Sequence, residues 1–409
     1  MKLVVFSQYF WPENFRINDL VNAILAKNVQ VDVVTGQPNY PQGQTYDGYR
    51  SWKIARQNFG GATVHRLPIV PRGSGSAIRL ILNYLSFVMS GILFAPMVLR
   101  RKRVDVVLVY AISPILQAIP AIVLKWIKGA KLVIWVQDLW PESLEATGFV
   151  RNRWILKAVR IVVRWIYRNA DLILVQSEAF VDPVAALANR EKICYYPNSA
   201  DNIFSSSAAA TENCPIAGLG EGFSVVFAGN LGAAQAVETI INAAELLKDI
   251  PNIHIFLVGD GSRANWIRNA IQMRGLTNVI MGGQHPIEAM PAILSRADAL
   301  LVTLKDEPIF YHTVPSKVQV YLAMGRPIIA SLNGEGARIV KQADAGISCP
   351  AENAVSLAEA ILHLSSMSSA ERSRLGENGQ QYFNTHYDGD TLVTELLSHF
   401  ENLLSKSSH

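Results

Sequence analysis

Residues 311–330 read YHTVPSKVQVYLAMGRPIIA, and they predict a loop, a short helix and a buried strand in immediate succession. Pro315 suits a helix start because its missing N–H would have no partner there. Gly325 predicts the end of the helix. The first turn of such a helix presents free backbone N–H groups and the positive end of a dipole. With Lys317 in that turn, the segment favours a phosphate site, although a surface lysine on an ordinary αβ unit explains it equally well.

Outward from this segment, apolar strands alternate with helical segments along the whole chain. Continuous Val/Ile/Leu runs predict strands that are buried on both faces, hence parallel sheets covered by helices. These runs lie at residues 3–7, 31–35, 104–110, 132–137 and 172–176 in the first half and at 224–228, 254–258, 279–281, 299–303 and 327–330 in the second. Two series of such runs predict an α/β protein with two doubly wound domains, whose ligands usually lie at the carboxyl ends of the strands. We expect an N-terminal domain at residues 1–203, a Ser/Ala/Gly-rich linker at 204–222 and a C-terminal domain at 223–385. Residues 386–409 are expected to form a helix that crosses back to the N-terminal domain.

The bulk composition fits this organisation. The chain has 409 residues, of which 50% are hydrophobic and 17% charged. Three widely spaced cysteines indicate a reducing compartment and no disulfide framework. The first residues, MKLVVF, resemble a strand rather than a signal peptide. Motifs for a P-loop, a zinc protease helix, a nucleophile elbow and a C-x-x-C redox site are all absent from the sequence.

The charge is distributed unevenly between the two halves. Residues 1–190 contain 23 basic and 11 acidic residues, a net charge of +12, whereas the remainder contains 14 basic and 22 acidic residues, a net charge of −8. A basic half predicts an anionic partner, either a membrane or a nucleic acid. No nucleic-acid-binding module is recognisable, so we expect no nucleic-acid partner.

Two segments favour the membrane. Residues 80–99 carry no charge and precede RRKR (100–103); polar residues and Pro96 interrupt the run, which favours a helical hairpin that is partly buried and partly inserted in a membrane surface. Further on, basic residues recur at three- and four-residue steps among tryptophans and isoleucines, a pattern that suits an anionic bilayer interface. A solvated helix face packed on its own sheet is the alternative. The basic stripe consists of Arg153, Lys157, Arg160, Arg164 and Arg168.

Loops that follow predicted strands supply the candidate site residues. In the N-terminal half, the loops 8–19 and 36–43 combine polar and aromatic residues, as a sugar site requires. Asp138 follows the strand 132–136, where it could act as an acid or base or bind a hydroxyl; a helix N-cap is the alternative. In the C-terminal half, GNLG (229–232) and GDGSR (259–263) each follow a strand. Their glycines allow a ligand to approach the backbone, and together with the Pro315–Lys317 helix start they favour a nucleotide diphosphate.

These residues resemble the retaining glycosyltransferases of family 4, which have the GT-B fold: two Rossmann-like domains facing a cleft. The matching landmarks occur in the family's order: GNLG (229–232), VGDG (258–261), GGQH (282–285), PSK (315–317) and AMGRP (323–327). In the N-terminal half, residues 9–19, PNYP (38–41) and DLWPE (138–142) are similar to a narrower branch. That branch contains the N-acetyl-L-fucosamine transferases of bacterial O-antigen and capsule synthesis.

The resemblance implies a hexosyltransferase-type enzyme that moves a sugar from a nucleotide donor, with UDP preferred, to a saccharide on a polyprenyl diphosphate. It implies retention of configuration, no metal and no cofactor, because side-chain cations and helix ends stabilise the leaving diphosphate. The enzyme would be cytoplasmic and peripherally attached to the inner face of the cytoplasmic membrane. Asp138 and Lys317 are the expected catalytic residues, and the acceptor would contact Glu13, Asn14, Arg16, Asn39 and Tyr40. The donor would contact Gly229, Asn230, Leu231, Gly232, Gly259, Asp260, Gly261, Arg263, His285, Pro315, Ser316, Lys317 and Glu335.

The chain departs from the family pattern in its donor half. Two glutamates of the family are replaced by His312 and Val320, and an arginine and a lysine by Asn230 and Gln235. Lys317 is therefore expected to be the main cation on the diphosphate, with Arg263 as a second and Glu335 as a substitute carboxylate. Two alternatives stay open: a non-hydrolysing nucleotide-sugar 2-epimerase on the same two-lobed fold and, because the glutamates are lost, a non-catalytic scaffold of a polysaccharide assembly complex.

Overall fold

A computed structural model describes residues 1–73, 76–146, 152–200, 202–204 and 214–406. The chain divides into two compact units, Met1–Pro197 with Gly389–His409, and Asn198–Asp388. The second unit therefore begins before the linker predicted at 204–222, and residues 205–213 of that linker lie outside the described residues. The C-terminal segment groups with the first unit.

The first unit is built on an eight-stranded sheet in the order β3-β4-β2-β1-β5-β6-β7-β8. All neighbouring strands are parallel except the β3–β4 pair. The predicted strands form its centre, where nearly every side chain is buried. The strands are β1 Lys2–Phe6, β2 Gln30–Gly36, β3 Ala55–Phe59, β4 Ala62–Leu67, β5 Val106–Ala111, β6 Lys131–Val136, β7 Leu172–Val175 and β8 Ile193–Tyr195.

Strands β3, β4 and β8 were not predicted, and each lacks the long apolar run of a central strand. β3 alternates half-buried and exposed residues, and β8 has three residues. β3 and β8 are the two edge strands of this sheet, and an edge strand is covered less completely than a central one. β4 lies inside the sheet between β3 and β2, and the polar residues His65 and Arg66 interrupt its apolar run.

The helices of the first unit flank this sheet. They are α1 Ile17–Ala26, α2 Ala77–Val98, α3 Ala118–Lys128, α4 Glu142–Ala146, α5 Arg153–Asn169 and α6 Val181–Ala185. The predicted helical hairpin in residues 80–99 is wrong, since α2 is one continuous helix of 22 residues. Gly91 does not form a turn; it lies against α3, where an added Cβ would come within 2.6 Å of Pro120 Cβ. Pro96 lies in the last turn of α2, where it precedes the helix end.

The second unit contains a six-stranded parallel sheet in the order β11-β10-β9-β12-β13-β14. Five of its strands were predicted; the short edge strand β14 was not. The strands are β9 Phe223–Ala228, β10 Ile253–Val258, β11 Val279–Gly283, β12 Ala299–Thr303, β13 Ile328–Ser331 and β14 Gly346–Cys349. The helices are α7 Val237–Leu246, α8 Ala264–Arg274, α9 Met290–Leu294, α10 Pro308–Tyr311, α11 Ser316–Ala323, α12 Glu335–Gln342, α13 Ala354–Ser366 and α14 Ser369–His386.

The last helix, α15 Gly389–Ser405, belongs to the first unit. It packs against α1. Leu392, Val393, Leu396 and Phe400 of α15 are buried in the same hydrophobic cluster as Val21 and Ile24 of α1. This apolar face explains why the chain returns to the N-terminal sheet at its end.

Candidate functional site

Lys317 lies in the first turn of α11, as the sequence predicted, with Pro315 at the N-cap. The helix is fixed to the end of β9 by the Tyr321 hydroxyl, which accepts a hydrogen bond from the backbone N–H of Ala228 at 3.1 Å. Lys317 Nζ donates to Gln235 Oε1 at 2.6 Å and lies 4.8 Å from the centroid of the Phe227 ring. Because burial leaves the ammonium little solvent to stabilise its charge, the pKa of Lys317 is lowered to about 8.

The glycine loops after β9 and β10 are packed directly against this lysine and each other. Gly229 has φ 131°, and an added Cβ would lie 2.9 Å from Lys317 Cε. Gly259 has φ 130°, and its Cβ would come within 2.0 Å of the Gly229 carbonyl oxygen. Neither position admits a side chain. The two loops are joined by hydrogen bonds from Leu231 N to Asp260 O and from Arg263 N to Leu231 O, each 2.9 Å. The two glycine loops therefore present exposed backbone beside the Lys317 ammonium.

The other predicted donor residues contribute in different ways. Leu231 is fully buried in the core, so only its backbone can contact a ligand. Asn230, Asp260 and Ser316 are exposed. Gly232 and Gly261 both lie close to the Asn230 side chain, which leaves no room for a Cβ at either position.

Three predicted donor side chains are already bound within the protein. The Arg263 guanidinium is paired with Glu238 and lies 5.0 Å from the centroid of Trp266. Glu335 is buried and accepts hydrogen bonds from Arg338 Nε at 2.9 Å and Nη2 at 2.7 Å. His285 Nε2 lies 2.8 Å from the Gly282 carbonyl oxygen. Their roles toward a donor stay predictions.

The loop that carries His312 contains an acidic residue that sequence reasoning missed. Asp306 follows β12 and accepts hydrogen bonds from Asn333 Nδ2 at 2.8 Å and from the Tyr311 hydroxyl. These bonds hold the pKa of Asp306 below its usual range. The only sequence signal was its place after a predicted strand, and nothing distinguished it there from an ordinary loop residue.

The predicted acceptor loops of the first unit are organised around Glu13. Its carboxylate is 1% exposed and accepts three backbone N–H groups, from Asn39 at 2.8 Å, Tyr40 at 2.7 Å and Phe10 at 3.2 Å. Burial raises the pKa of Glu13 to about 7. Sequence reasoning expected Glu13 to contact an acceptor directly. The structure instead shows a carboxylate that ties the loop after β1 to the loop after β2.

The remaining acceptor candidates divide into buried and accessible residues. Asn39 is buried; its Nδ2 donates to Gln37 O at 2.9 Å and its Oδ1 accepts from Arg72 N at 3.1 Å. Tyr40 is 37% exposed, and its ring packs near Tyr9 and Phe15. Asn14 is exposed and Arg16 half-buried. The accessible surface of these loops is therefore aromatic and cationic.

One cation of this surface was not predicted. The Arg72 guanidinium lies 5.1 Å from the centroid of the Tyr40 ring. It also lies near Tyr9 and Tyr84, whose pKa values it lowers against the larger raising effect of burial. Only a general basic bias of the N-terminal half marked it in the sequence.

Asp138 follows β6 and binds the loop after β5. Its Oδ2 accepts hydrogen bonds from the backbone N–H and the hydroxyl of Ser113, each 2.9 Å, and Trp140 Nε1 donates to the same hydroxyl at 3.0 Å. Asp138 is half-buried. It is thus held in one orientation by the neighbouring strand's loop. Within the described residues, no cluster of three or more His, Cys, Asp or Glu side chains could hold a metal ion.

Two family models match the chain, one in each unit. "Glycosyl transferase 4-like domain" matches residues 14–199, and "Glycosyl transferases group 1" matches residues 222–367. The chain is a glycosyltransferase with the GT-B fold. The first match contains the loop 36–43 and residues 14–19 of the loop 8–19, and the second contains the glycine loops and Lys317.

Curated relatives carry the same activity in their names. The chain is 26% identical over 340 residues to the putative colanic acid biosynthesis glycosyl transferase WcaI of Escherichia coli, covering 80% of this chain and 82% of that protein. It is 27% identical over 315 residues to the probable glycosyltransferase WbjE of Pseudomonas aeruginosa, covering 74% and 78%.

Solved structures share the fold of this glycosyltransferase. Anabaena HepE in complex with UDP superposes with a TM-score of 0.71 at 14% identity, covering 98% of this chain and 100% of that chain. The α,α-trehalose 6-phosphate synthase of Burkholderia multivorans superposes with a TM-score of 0.72 at 10% identity, covering 100% and 99%. At these identities the likeness concerns the fold.

Proposed function

We propose that this glycosyltransferase moves N-acetyl-L-fucosamine from a UDP donor, with retention of configuration, onto a saccharide carried by polyprenyl diphosphate in bacterial surface polysaccharide synthesis. The Lys317 ammonium beside the Gly229 and Gly259 backbone is the observation that carries the donor half of this proposal. A diphosphate fits there because it can accept hydrogen bonds from a cation and approach glycine backbone closely. UDP in the HepE complex and the colanic acid biosynthesis in the name of WcaI support the substrate classes.

The mechanism assigns a charge-stabilising role to the second unit. As the bond between the anomeric carbon and the diphosphate breaks, negative charge grows on the phosphate oxygens, and the Lys317 ammonium would stabilise that charge. Asp138 is the proposed partner of the acceptor hydroxyl in the first unit. We expect neither metal nor cofactor to be required, because the leaving group would be neutralised by side-chain and backbone donors.

A thermal-shift panel of UDP, GDP and dTDP sugars tests the donor. A ligand that binds the native state raises its unfolding midpoint by mass action. We expect UDP-N-acetyl-L-fucosamine and UDP to raise the midpoint, and GDP and dTDP sugars to leave it unchanged. A transfer assay with a lipid-linked saccharide should then give a product with the donor's anomeric configuration, read by NMR coupling constants. A 2-epimer formed from the donor alone would overturn the proposal.

We also propose that the first unit attaches to the inner face of the cytoplasmic membrane, where the acceptor would be found. Helix α2 is long and apolar enough to cross a membrane, the one such helix in the described parts of the chain. However, its inner face is buried against the unit, and Asn83 on that face accepts from Gln8 Nε2 at 2.7 Å and donates to Val70 O at 2.6 Å. A helix held in this way favours a position in the membrane surface over a crossing.

The outer face supports this position. Helix α2 packs on α3, and α3 packs on α5. Trp126 of α3 and Trp165 of α5 meet with ring centroids 6.2 Å apart, and Trp126 is 58% exposed. The five basic residues of the stripe on α5 are all exposed. Large apolar side chains on this face are also exposed: Ile78, Ile81, Leu82, Leu85, Met89, Leu93, Met97, Ile127, Trp154, Ile155 and Ile161.

Co-sedimentation with liposomes tests the membrane proposal. The triple variant Arg160→Glu, Arg164→Glu, Arg168→Glu should lose binding to vesicles rich in anionic lipid, because each basic residue near such a surface contributes about 1 kcal/mol. A matched triple reversal in the second unit, Lys248→Glu, Arg268→Glu, Lys341→Glu, should leave binding unchanged. Equal sedimentation of both variants would contradict the proposal.

A further inference from the structure

Gln235 lies in a short turn, Ala233–Gln235, that is anchored at both ends to the sheet of the second unit. Its backbone carbonyl accepts a hydrogen bond from the Thr303 hydroxyl, and the Ala234 carbonyl accepts from Lys305 N at 3.0 Å. The next residue, Ala236, has φ 45° and ψ 43°, a left-handed conformation that is unfavourable for a residue with a Cβ. The turn is therefore held in a strained shape that fixes where the Gln235 side chain begins.

The hydrogen bond with Lys317 determines how the Gln235 amide is oriented. An ammonium only donates, so the atom that lies 2.6 Å from Lys317 Nζ must be the amide oxygen. The amide nitrogen, Nε2, then points away from the lysine with two N–H groups. Within the described residues, no acceptor is recorded for Nε2, and the side chain is half-buried rather than sealed in the core.

Lys317 gains no charge compensation from its surroundings. Burial alone accounts for the change in its pKa, with no contribution from a charged group in the described residues. Its contacts are the Gln235 oxygen, the Phe227 ring and the Gly229 backbone. A neutral amide in contact with an uncompensated ammonium leaves the positive charge available, whereas a carboxylate would neutralise it.

We propose that Gln235 positions Lys317 through its amide oxygen and binds the donor diphosphate through its amide nitrogen. This inference rests on the proposed function, since it deepens the account of the same donor site. One amide would perform both tasks at once, because its oxygen accepts from the lysine while its two N–H groups have no acceptor among the described residues. The diphosphate would thus be held by one cation and one neutral donor.

Calorimetric titration of the full-length protein with UDP tests the proposal. Gln235→Ala should weaken UDP binding at pH 7 about tenfold, as expected for a hydrogen bond to a charged acceptor. Gln235→Glu should weaken it further, because its carboxylate repels phosphate and pairs with Lys317. Uridine, which has the same base and no phosphate, should bind both variants as it binds the native protein. Gln381→Ala, an exposed change on α14, is the matched control.

The pH profile separates positioning from a structural effect. Between pH 7 and 9, UDP affinity of the native protein should fall with a midpoint near 8 as Lys317 loses its proton. Gln235→Glu should move that midpoint upward, because a carboxylate stabilises the ammonium, and Gln235→Ala should move it downward. A turn that is merely structural predicts weaker binding with an unmoved midpoint.

Different experimental results would overturn the role of Gln235 and the proposed donor site. UDP binding that falls in Lys317→Ala but is unchanged in Gln235→Ala and Gln235→Glu would overturn the role of Gln235 and leave the donor site intact. Native protein that does not bind UDP, or binding that is indifferent to Lys317→Ala, would overturn the donor site and this inference together. Lower affinity with an unmoved midpoint and equal loss of uridine binding would also overturn it.

Discussion

The charged residues that follow the strands are bound differently in the two units. In the second unit, the Lys317 ammonium has no ionic partner among the described residues and lies against glycine backbone. In the first unit, Glu13 is buried and saturated by three backbone N–H groups. The Lys317 ammonium can therefore still bind an anionic ligand, whereas the Glu13 carboxylate already uses its hydrogen bonds to hold two loops together. A charged residue after a strand can therefore be a ligand or an internal anchor, and burial with hydrogen-bond saturation distinguishes the two.

The largest effect is expected for Lys317→Ala. Loss of the ammonium should reduce sugar transfer by about 100- to 1,000-fold, the range found when one preorganised stabilising group is removed from an active site. Steady-state kinetics with the UDP donor measures it. The control is Lys341→Ala, which removes an exposed lysine of α12 in the same unit. Activity within a few-fold of the native enzyme would contradict the role of Lys317 in binding the donor.

Asp138→Asn should lower the turnover number about 100-fold, a typical contribution of a group that handles the proton of a reacting hydroxyl. The amide oxygen can still accept from Ser113, so the loop should stay in place. UDP affinity should not change. If transfer stays within threefold, Asp138 serves only to hold Ser113, as Glu13 holds its loops.

Glu13→Ala should act on the acceptor side alone. It leaves three backbone N–H groups without their partner, and each buried orphan costs about 1–3 kcal/mol. We expect a lower unfolding midpoint and an acceptor KM raised about tenfold, while calorimetric UDP affinity is retained. Glu401→Ala, at an exposed position of α15, is the control. A change in UDP affinity, with the acceptor KM unaltered, would contradict the division of roles.

The smallest effect concerns the free energy of unfolding of the unliganded protein. Burial lowers the pKa of Lys317 from its ordinary value of 10.5 to about 8 in the folded state. The unfolded chain therefore binds more protons between pH 8 and 10.5, and the contribution of Lys317 to stability should rise across that window. UDP affinity should fall over the lower part of the same window. Denaturant titrations of native protein and Lys317→Ala at pH 8 and 9.5 measure the difference, and an identical pH dependence in both would contradict the buried ammonium.

Much of the fold followed from local pattern. The continuous apolar runs predicted the central strands of both sheets, and Pro315 and Gly325 predicted the bounds of α11. The edge strands β3, β8 and β14 were missed because partial cover gives them no continuous apolar run, and the interior strand β4 was missed because His65 and Arg66 interrupt its apolar run. The hairpin predicted in residues 80–99 was wrong because the polar residues within that run do not interrupt the helix. Asn83, for example, lies on the buried face of α2 and forms hydrogen bonds with Gln8 and Val70.

The candidate site was likewise predicted only in part from the sequence. By itself, the sequence determined the order of the loops, the glycines, Lys317 and the loss of the family glutamates, because these depend on residue type and spacing. Only the tertiary structure decided which charges are free. Glu13 and Arg263 are engaged by partners on other elements of their units, and Lys317 is paired with the neutral amide of Gln235 from 82 residues away. Such pairings depend on distances in space, which the spacing along the chain does not contain.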